Sequence, residues 1–183
     1  LHRMNTKRVR LIPFSEEDRE QFILDNQWAF KYGALLEFGK RDDHLNCDGE
    51  IISRKTIEQC IDAADNETYR IVVDGKKVGG VILKIDHMTG HNHLEILFTS
   101  PMMHSQGIGY EAWQAVEALH PETVVWETYT PYFEKRNIHF YVNKCGFHIV
   151  EFFTAHHADS QMPMDGNDSE GPDEAFRFVK VMK

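Results

Sequence analysis

The segment Thr99-Ser-Pro-Met-Met-His-Ser-Gln-Gly-Ile-Gly-Tyr110 separates two kinds of periodicity. Before it, His93 to Thr99 alternates, with Leu94, Ile96 and Phe98 set against His93, Glu95, Leu97 and Thr99, as in a half-buried strand. After it, Ile108, Ala112, Val116 and Leu119 recur at helical spacing, and Trp113 and Ala115 widen the stripe. Gly107 and Gly109 remove two side chains where the chain turns into that helix. The backbone amides of Gln106 to Tyr110 can then converge at the helix N-terminus, an arrangement suited to a pyrophosphate. A Gly-x-Gly pair also serves as a plain tight turn, so the spacing alone leaves both readings open.

Two nucleotide-binding patterns compete for this loop. A dinucleotide fold needs Gly-x-Gly-x-x-Gly inside a strand–helix–strand unit, and Ala112 would pass at the third position. The segment instead follows a run of hairpin strands, and no acidic residue ends a strand about 20 residues later. Phosphate-loop hydrolysis is excluded, since Gly-Lys-Ser/Thr occurs nowhere in the chain.

Outward from the loop, Tyr69 to Val73 and Val78 to Asp86 read as strands joined by Asp74-Gly75, a hairpin turn signal. Val81, Leu83 and Ile85 should share one face. A polar turn over Met88 to Asn92 then leads into the His93 strand. Upstream, Arg8 to Phe14 predicts a strand. Ser15 should cap a helix with Glu16, Glu17 and Asp18 in its first turn and Phe22, Ile23 and Phe30 on its buried side. Gly39 to His44 is loop-like. A second helix starts after Ser53 and should bury Ile57, Cys60, Ile61 and Ala64. Downstream, Pro121 ends the loop helix and Val124 to Thr130 is a strand. Lys135 to Cys145 is a helix with Ile138, Tyr141, Val142 and Cys145 inward, closed by Gly146. Phe147 to Phe153 and Phe176 to Met182 are the last strands. The order β-α-α-β-β-β-α-β-α-β-β predicts one mixed α/β domain over 4–183, with Leu1-His2-Arg3 read as a cloning remnant.

Composition narrows the partners. Among 183 residues, 20 Lys and Arg face 29 Asp and Glu, for a net charge of −9. Nucleic-acid binding needs clustered basic residues, so this balance argues against it. Between Thr154 and Ala175 the chain carries Asp159, Asp165, Asp168, Glu170, Asp173 and Glu174 without one Lys or Arg; without them the charge is −3. That excursion reads as an acidic loop, able to attract a cationic substrate or to cover a site. No apolar run approaches the ~20 residues of a membrane span. Three cysteines, Cys47, Cys60 and Cys145, fit neither a disulfide scaffold nor a cysteine-rich zinc site, and a cytoplasmic protein is expected. Trp113 and Trp126 read as core.

The succession of a hairpin meander, Gln106-Gly-Ile-Gly109 leading a helix, a strand, and a helix ending Lys144-Cys-Gly-Phe147 resembles the GNAT superfamily of acyl-CoA N-acyltransferases. The likeness runs over about Tyr69 to Phe153. It implies a mixed, mostly antiparallel central sheet flanked by helices. It also implies acetyl-CoA as co-substrate, no metal, and transfer to an amine by direct attack within a ternary complex. His104 to Gly109 matches the family's pyrophosphate loop, although His104 stands where Gln or Arg is usual. By that match Gln106, Gly107, Ile108, Gly109 and Tyr110 would bind the cofactor's phosphates. Leu97, Phe98 and Thr99 would hold its pantetheine arm on a strand that splays from its neighbour. Asn137 to Phe147 matches the second motif, with Asn137 counted among the cofactor contacts.

That second motif departs from the family. Its usual ending is Tyr-x-x-x-Gly-Phe, and Tyr141-Val-Asn-Lys-Cys-Gly146 has one residue more. Counting back from Gly146 puts Val142 at the acid's position; matching Ile138 to Tyr141 puts Tyr141 there. One residue rotates a helix position by about 100°, so an unbroken helix cannot satisfy both. Tyr141 is favoured as the catalytic acid, with a plain core role as the alternative. Direct transfer also needs a proton acceptor, and Glu95 is the candidate, with His93 behind it. Glu127 and Tyr129 either line the acceptor side or face outward. His156-His157 with Asp159 matches no zinc signature, and Asp165 to Glu170 lacks calcium-loop spacing. The acceptor, a small molecule or a peptide amine, is not legible, and a homodimer is allowed. The competing functional reading is a catalytically silent CoA-binding or sensing module of the same fold.

Overall fold

Alternating segments pair into one sheet, and the helical segments cover its two faces. The computed structural model describes residues 8–38, 49–103, 106–158 and 174–183. Strands β1 (Val9–Pro13), β2 (Asn66–Val73), β3 (Lys76–Lys84), β4 (His91–Thr99), β5 (Val125–Pro131), β6 (His148–Phe153) and β7 (Ala175–Val181) form a seven-stranded sheet in the order β1-β2-β3-β4-β5-β7-β6. All neighbours are antiparallel except β4 and β5, which run parallel. Helices α1 (Arg19–Phe38) and α2 (Arg54–Asp62) lie on one face, and α3 (Ile108–Leu119) and α4 (Lys135–His139) on the other. The expected element order and the mixed, mostly antiparallel sheet are what the structure has. At the β2–β3 turn Asp74 and Gly75 have φ of 50° and 76°, as a two-residue hairpin turn of this hand requires.

Each sheet face carries its own apolar cluster. Val81, Leu83, Trp113, Trp126, Phe147 and Phe178 fill the α3/α4 side. Phe22, Ile23, Ile57, Ile82, Ile96 and Phe98 fill the α1/α2 side. From Val81 to Leu83 β3 supplies both clusters by alternation. β4 does not, because Leu83 pairs with Leu94 while Ile82 pairs with Ile96, leaving Glu95 as an extra residue. This β-bulge reverses the parity of the strand. Leu94 therefore joins the α3/α4 cluster while Ile96 and Phe98 join the other, and the single face expected for all three is corrected.

Three smaller expectations also change. Asp18 is not an exposed first-turn acid. A 3-10 turn at Glu16–Asp18 precedes α1 and swings Asp18 inward, and Ser15 makes no side-chain cap. There Asp18 accepts from Arg70 Nε at 2.6 Å and pairs with Lys77 Nζ at 2.9 Å, while the guanidinium lies 5.0 Å from the Phe22 ring centre. Burial works to raise the Asp18 pKa, but the bonds from Arg70 and Lys77 outweigh it and hold the carboxyl below its usual range. α2, capped by Ser53 to the Thr56 amide, stops at Asp62, so Ala64 falls in an exposed turn. α3 stops at Leu119, which is exposed. His120 is buried in its stead, with its ring nitrogens 2.8 Å from Glu67 and 3.0 Å from Glu122.

The α1/β3/β4 contact depends on the absence of a side chain. A Cβ on Gly80 would lie 2.5 Å from Phe22 Cε2 and 2.7 Å from Phe98 Cε1, two rings that are themselves fixed edge-to-face at 5.2 Å. Gly80→Val is expected to destabilise the fold by about 3 kcal/mol through overpacking. The check is a urea transition with a lower midpoint and an unchanged slope. A midpoint equal to wild type would show that α1 is free to retreat from the sheet.

The helix after β5 reconciles the two conflicting registers of its sequence. α4 runs to His139 and continues as a π turn over Phe140–Lys144. Cys145 N donates to Phe140 O at 3.0 Å, an i→i+5 bond, and Phe147 N donates to Tyr141 O at 2.9 Å. The π turn takes up the extra residue locally. Tyr141 and Cys145 both stay inward, and Gly146 closes the helix at φ 83°. Among the described residues no helix is long and apolar enough to cross a membrane.

Candidate active site

β4 and β5 pair only at His91↔Val125, Asn92↔Trp126 and His93↔Glu127. Beyond that third rung the strands part, each keeping its antiparallel partner on the far side, β3 for β4 and β7 for β5. Their facing backbone groups from Leu94 to Thr99 and from Thr128 to Pro131 thus border a fork in the sheet. An unzipped strand edge that opens on a cavity can take an extended ligand as an added strand.

A cavity of about 520 Å³ opens at this fork. Leu97, Phe98 and Thr99 of β4 line it, as do Gly107, Ile108, Gly109 and Tyr110 at the start of α3. Asn137 and Tyr141 close it from the α4 side. Gln106 is exposed beside it and does not line it; its carbonyl accepts from Arg8 at 2.7 Å, and Arg8 also pairs with Glu111, tying the loop to β1. His104 lies outside the described residues.

Two glycines shape the cradle differently. Gly107 is the N-cap of α3 with φ 74°, a left-handed conformation that favours glycine, and a Cβ there would meet nothing within 4 Å. Gly109 faces Phe140, whose ring edge would lie 3.4 Å from a Cβ. Gly109 thus lets α3 and the π turn approach, while Gly107 leaves open space. The first i→i−4 bond of the helix is Glu111 N to Gly107 O. The amides of Ile108, Gly109 and Tyr110 precede it and have no intrahelical acceptor, an arrangement able to take an anion. Although the chain is acidic overall, Arg136 and Lys144 line the cavity and add positive charge. No motif marks either of them; the only sequence signal is that basic residues bracket Asn137 and Tyr141 in a net acidic chain.

Tyr141 is 7% exposed and packs against Phe140, Phe147 and Phe178, with ring centres 5.4–5.6 Å apart. Burial pushes its phenol far above the ordinary tyrosine value, so it is protonated at neutral pH. Val142 packs against the core and does not line the cavity.

Glu95 stands apart from the cavity. As the bulge residue it is exposed and does not share a face with Leu97 and Thr99, contrary to the alternation expected; its charge reaches Cys60 on α2. Glu127 and Tyr129 are half-buried on the same side as Glu95. Tyr129 donates to Glu127 at 3.0 Å, Arg177 Nη1 donates to Glu127 at 3.2 Å, and His93 Nε2 is 3.6 Å from Glu127. His157 pairs with Glu151 at 2.7 Å and stacks on Phe153, and Asp159 lies outside the described residues. Burial raises the thiol of Cys60 to about 11, helped by Glu95, and that of Cys145 to about 12. Both are protonated and poor nucleophiles at neutral pH.

The family model described as "Acetyltransferase (GNAT) family" matches residues 21–147. A Bacillus subtilis protein known as the uncharacterized protein YrkN is 45% identical over 183 residues, covering 98% of this chain and 96% of its own. The crystal structure of an acetyltransferase from Thermus thermophilus superposes with a TM-score of 0.63 at 13% identity, covering 94% of this chain and 96% of that one. A PaiA N-acetyltransferase from Thermoplasma acidophilum, crystallised with coenzyme A, gives a TM-score of 0.61 at 15% identity, covering 94% of this chain and 98% of that one. At these identities the solved structures establish the fold.

Proposed function

The chain belongs to the GNAT acetyltransferase family, and we propose that it is an N-acetyltransferase, carrying an acetyl group from acetyl-CoA to an amine by direct attack in a ternary complex. The observation that carries this reading is the fork, a parallel pair that separates after three rungs directly beside a helix N-terminus with free amides. Acetyl-CoA supplies a thioester carbonyl as electrophile. The amides of Gly107 to Tyr110 bind its diphosphate, with Gln106 at the loop's rim and Arg136 and Lys144 adding positive charge. Backbone groups of Leu97, Phe98 and Thr99 take the pantetheine arm into the fork, Ile108 packs along it, and Asn137 contacts it from α4.

The chemistry then needs one proton removed and one returned. A neutral amine reaches the fork from the α1/α2 side, where Glu95 projects, and Glu95 accepts its proton through water. Tyr141, protonated and on the cavity wall, gives its proton to the departing thiolate. Among the described residues no cysteine lines the cavity, since Cys60 and Cys145 are both absent from its wall, and this supports direct transfer over an acyl-enzyme. Neighbours of this fold include enzymes named for a ribosomal protein alanine and for spermidine, so the fold does not fix the acceptor.

The test pairs binding with turnover. Acetyl-CoA should raise the melting temperature in proportion to its affinity, whereas NAD and ATP should not. Thiol should then be released from acetyl-CoA with at least one member of a panel of primary amines. No stabilisation by acetyl-CoA overturns the reading. Stabilisation with no thiol release across the panel replaces it with a silent CoA-binding module.

A further inference from the structure

Asn26 breaks the pattern of its own helix. It lies in the interior of α1 at 0% exposure, and its neighbours one turn away on either side, Phe22, Ile23, Ala29 and Phe30, are all apolar. Asparagine is a poor residue for a helix interior, and burying its amide with nothing to bond costs more still. Among the described residues neither Nδ2 nor Oδ1 of Asn26 has a hydrogen-bond partner. Buried amides are normally bonded, so the fold itself draws no benefit from this one.

Its neighbours place it beside the fork. Phe22, one turn before, meets the Phe98 ring edge-to-face at 5.2 Å, and Phe98 lines the cavity. Ala29 and Phe30, one turn after, line the cavity too, as does Gly33 a further turn on. At Gly33 a Cβ would lie 4.0 Å from Arg136 Nη1, so this face of α1 looks across the cavity toward α4. Asn26 shares that face by helical repeat, between the Phe22–Phe98 contact and the cavity wall. Ala29 in that wall is buried, whereas Phe30 is only half-buried, and a turn of its ring opens the way to the amide.

We infer that Asn26 is a specificity-determining residue for the acceptor, selecting a primary amine that has a carbonyl or hydroxyl oxygen on the carbon next to the one carrying the nitrogen. This rests on the N-acetyltransferase reading, in which the amine reaches the fork from the side where α1 stands. With Phe30 turned aside, Oδ1 accepts one N–H of the neutral amine and Nδ2 donates to the neighbouring oxygen. Both contacts leave the nitrogen lone pair free for the thioester carbonyl. An amine without that oxygen leaves Nδ2 unbonded in a site closed to water, and this is what selects against it.

The experiment measures thiol release from acetyl-CoA with two shape-matched pairs of amines, glycinamide against isobutylamine and ethanolamine against propylamine. Wild type, Asn26→Leu and Asn26→Ala are compared by the ratio of kcat/KM within each pair, which cancels the different basicity of the amines. Wild type should prefer the oxygen-bearing member of at least one pair, and both variants should lower that preference by about tenfold or more. Acetyl-CoA affinity should stay within about threefold, since Asn26 stands outside the cradle at the start of α3. Asn26→Leu keeps the branched shape without the polar atoms and should melt no lower than wild type; Asn26→Ala serves if leucine is not accommodated. Equal losses for both members of a pair, whatever the melting temperature, make Asn26 structural and overturn the inference. So does an unchanged preference in both variants, or a wild type active only on amines without such an oxygen. Each of these leaves the transferase reading standing, whereas a wild type that releases no thiol with any primary amine defeats that reading beneath it.

Discussion

Gly107→Trp is expected to fold and to lose acetyl-CoA binding, with affinity falling at least about 100-fold, or close to 3 kcal/mol. The two effects separate because of where the glycine sits. A side chain at Gly107 meets no protein atom within 4 Å, so tryptophan extends into the open cradle at the start of α3 and does not break the core. It does strain the backbone, because φ is 74° and a bulky residue in the left-handed region costs about 1–2 kcal/mol. A modest fall in melting temperature is therefore part of the expectation. On the proposed reading the indole takes the space of the diphosphate, next to the amides of Ile108 to Tyr110. Calorimetric titration is the check. Affinity equal to wild type would move the diphosphate away from this loop.

Tyr141→Phe should divide binding from turnover. Phenylalanine preserves the contacts with Phe140, Phe147 and Phe178, so the core and the cavity wall stay in place. Only the hydroxyl is lost. If that hydroxyl protonates the thiolate, kcat falls by about 10²-fold, the lower end of what a positioned acid contributes. Acetyl-CoA affinity should change by no more than about threefold, since the phenol meets the sulfur only as it departs. Steady-state kinetics with a separate measurement of affinity distinguishes the outcomes. Undiminished kcat would return Tyr141 to a packing role; a parallel loss of affinity and kcat would mean that the cavity wall had moved.

The parts of this fold that were legible in the sequence are those set by local periodicity and turn chemistry. Alternation marked β2 to β4, Asp74-Gly75 marked the hairpin, and the stripe of Ile108, Ala112 and Val116 marked α3. The parts that were not legible are single-residue events and distant partners. Glu95 looks like any other alternating position, because a bulge is a choice of backbone pairing with Ile82 and Leu83 and leaves no mark in hydrophobicity. The extra residue after Tyr141 posed a choice between two registers, and the π turn removes the choice by widening one turn. By sequence Asp18 looks like a helix-dipole acid, because its partner, Arg70, is far away in sequence and meets it only once β2 lies under α1. Thr128 reads as an ordinary strand former; its bond to Leu94 exists because the two strands part there.

The site shows the same division. The loop glycines and the strand before them were visible as a motif, and the structure brings Leu97 to Thr99, Gly107 to Tyr110, Asn137 and Tyr141 to one cavity. Which side of β4 each residue faces depended on the bulge, and so Glu95 could not be assigned from alternation.

A crystal structure of the wild-type chain with acetyl-CoA is the most direct measurement. The diphosphate should lie within about 3 Å of the amides of Gly107 to Tyr110, with the pantetheine amides bonded to β4 between Leu97 and Thr99 and the sulfur nearest Tyr141. Acetyl-CoA bound elsewhere, with the gap between β4 and β5 vacant and those amides facing solvent, would contradict it.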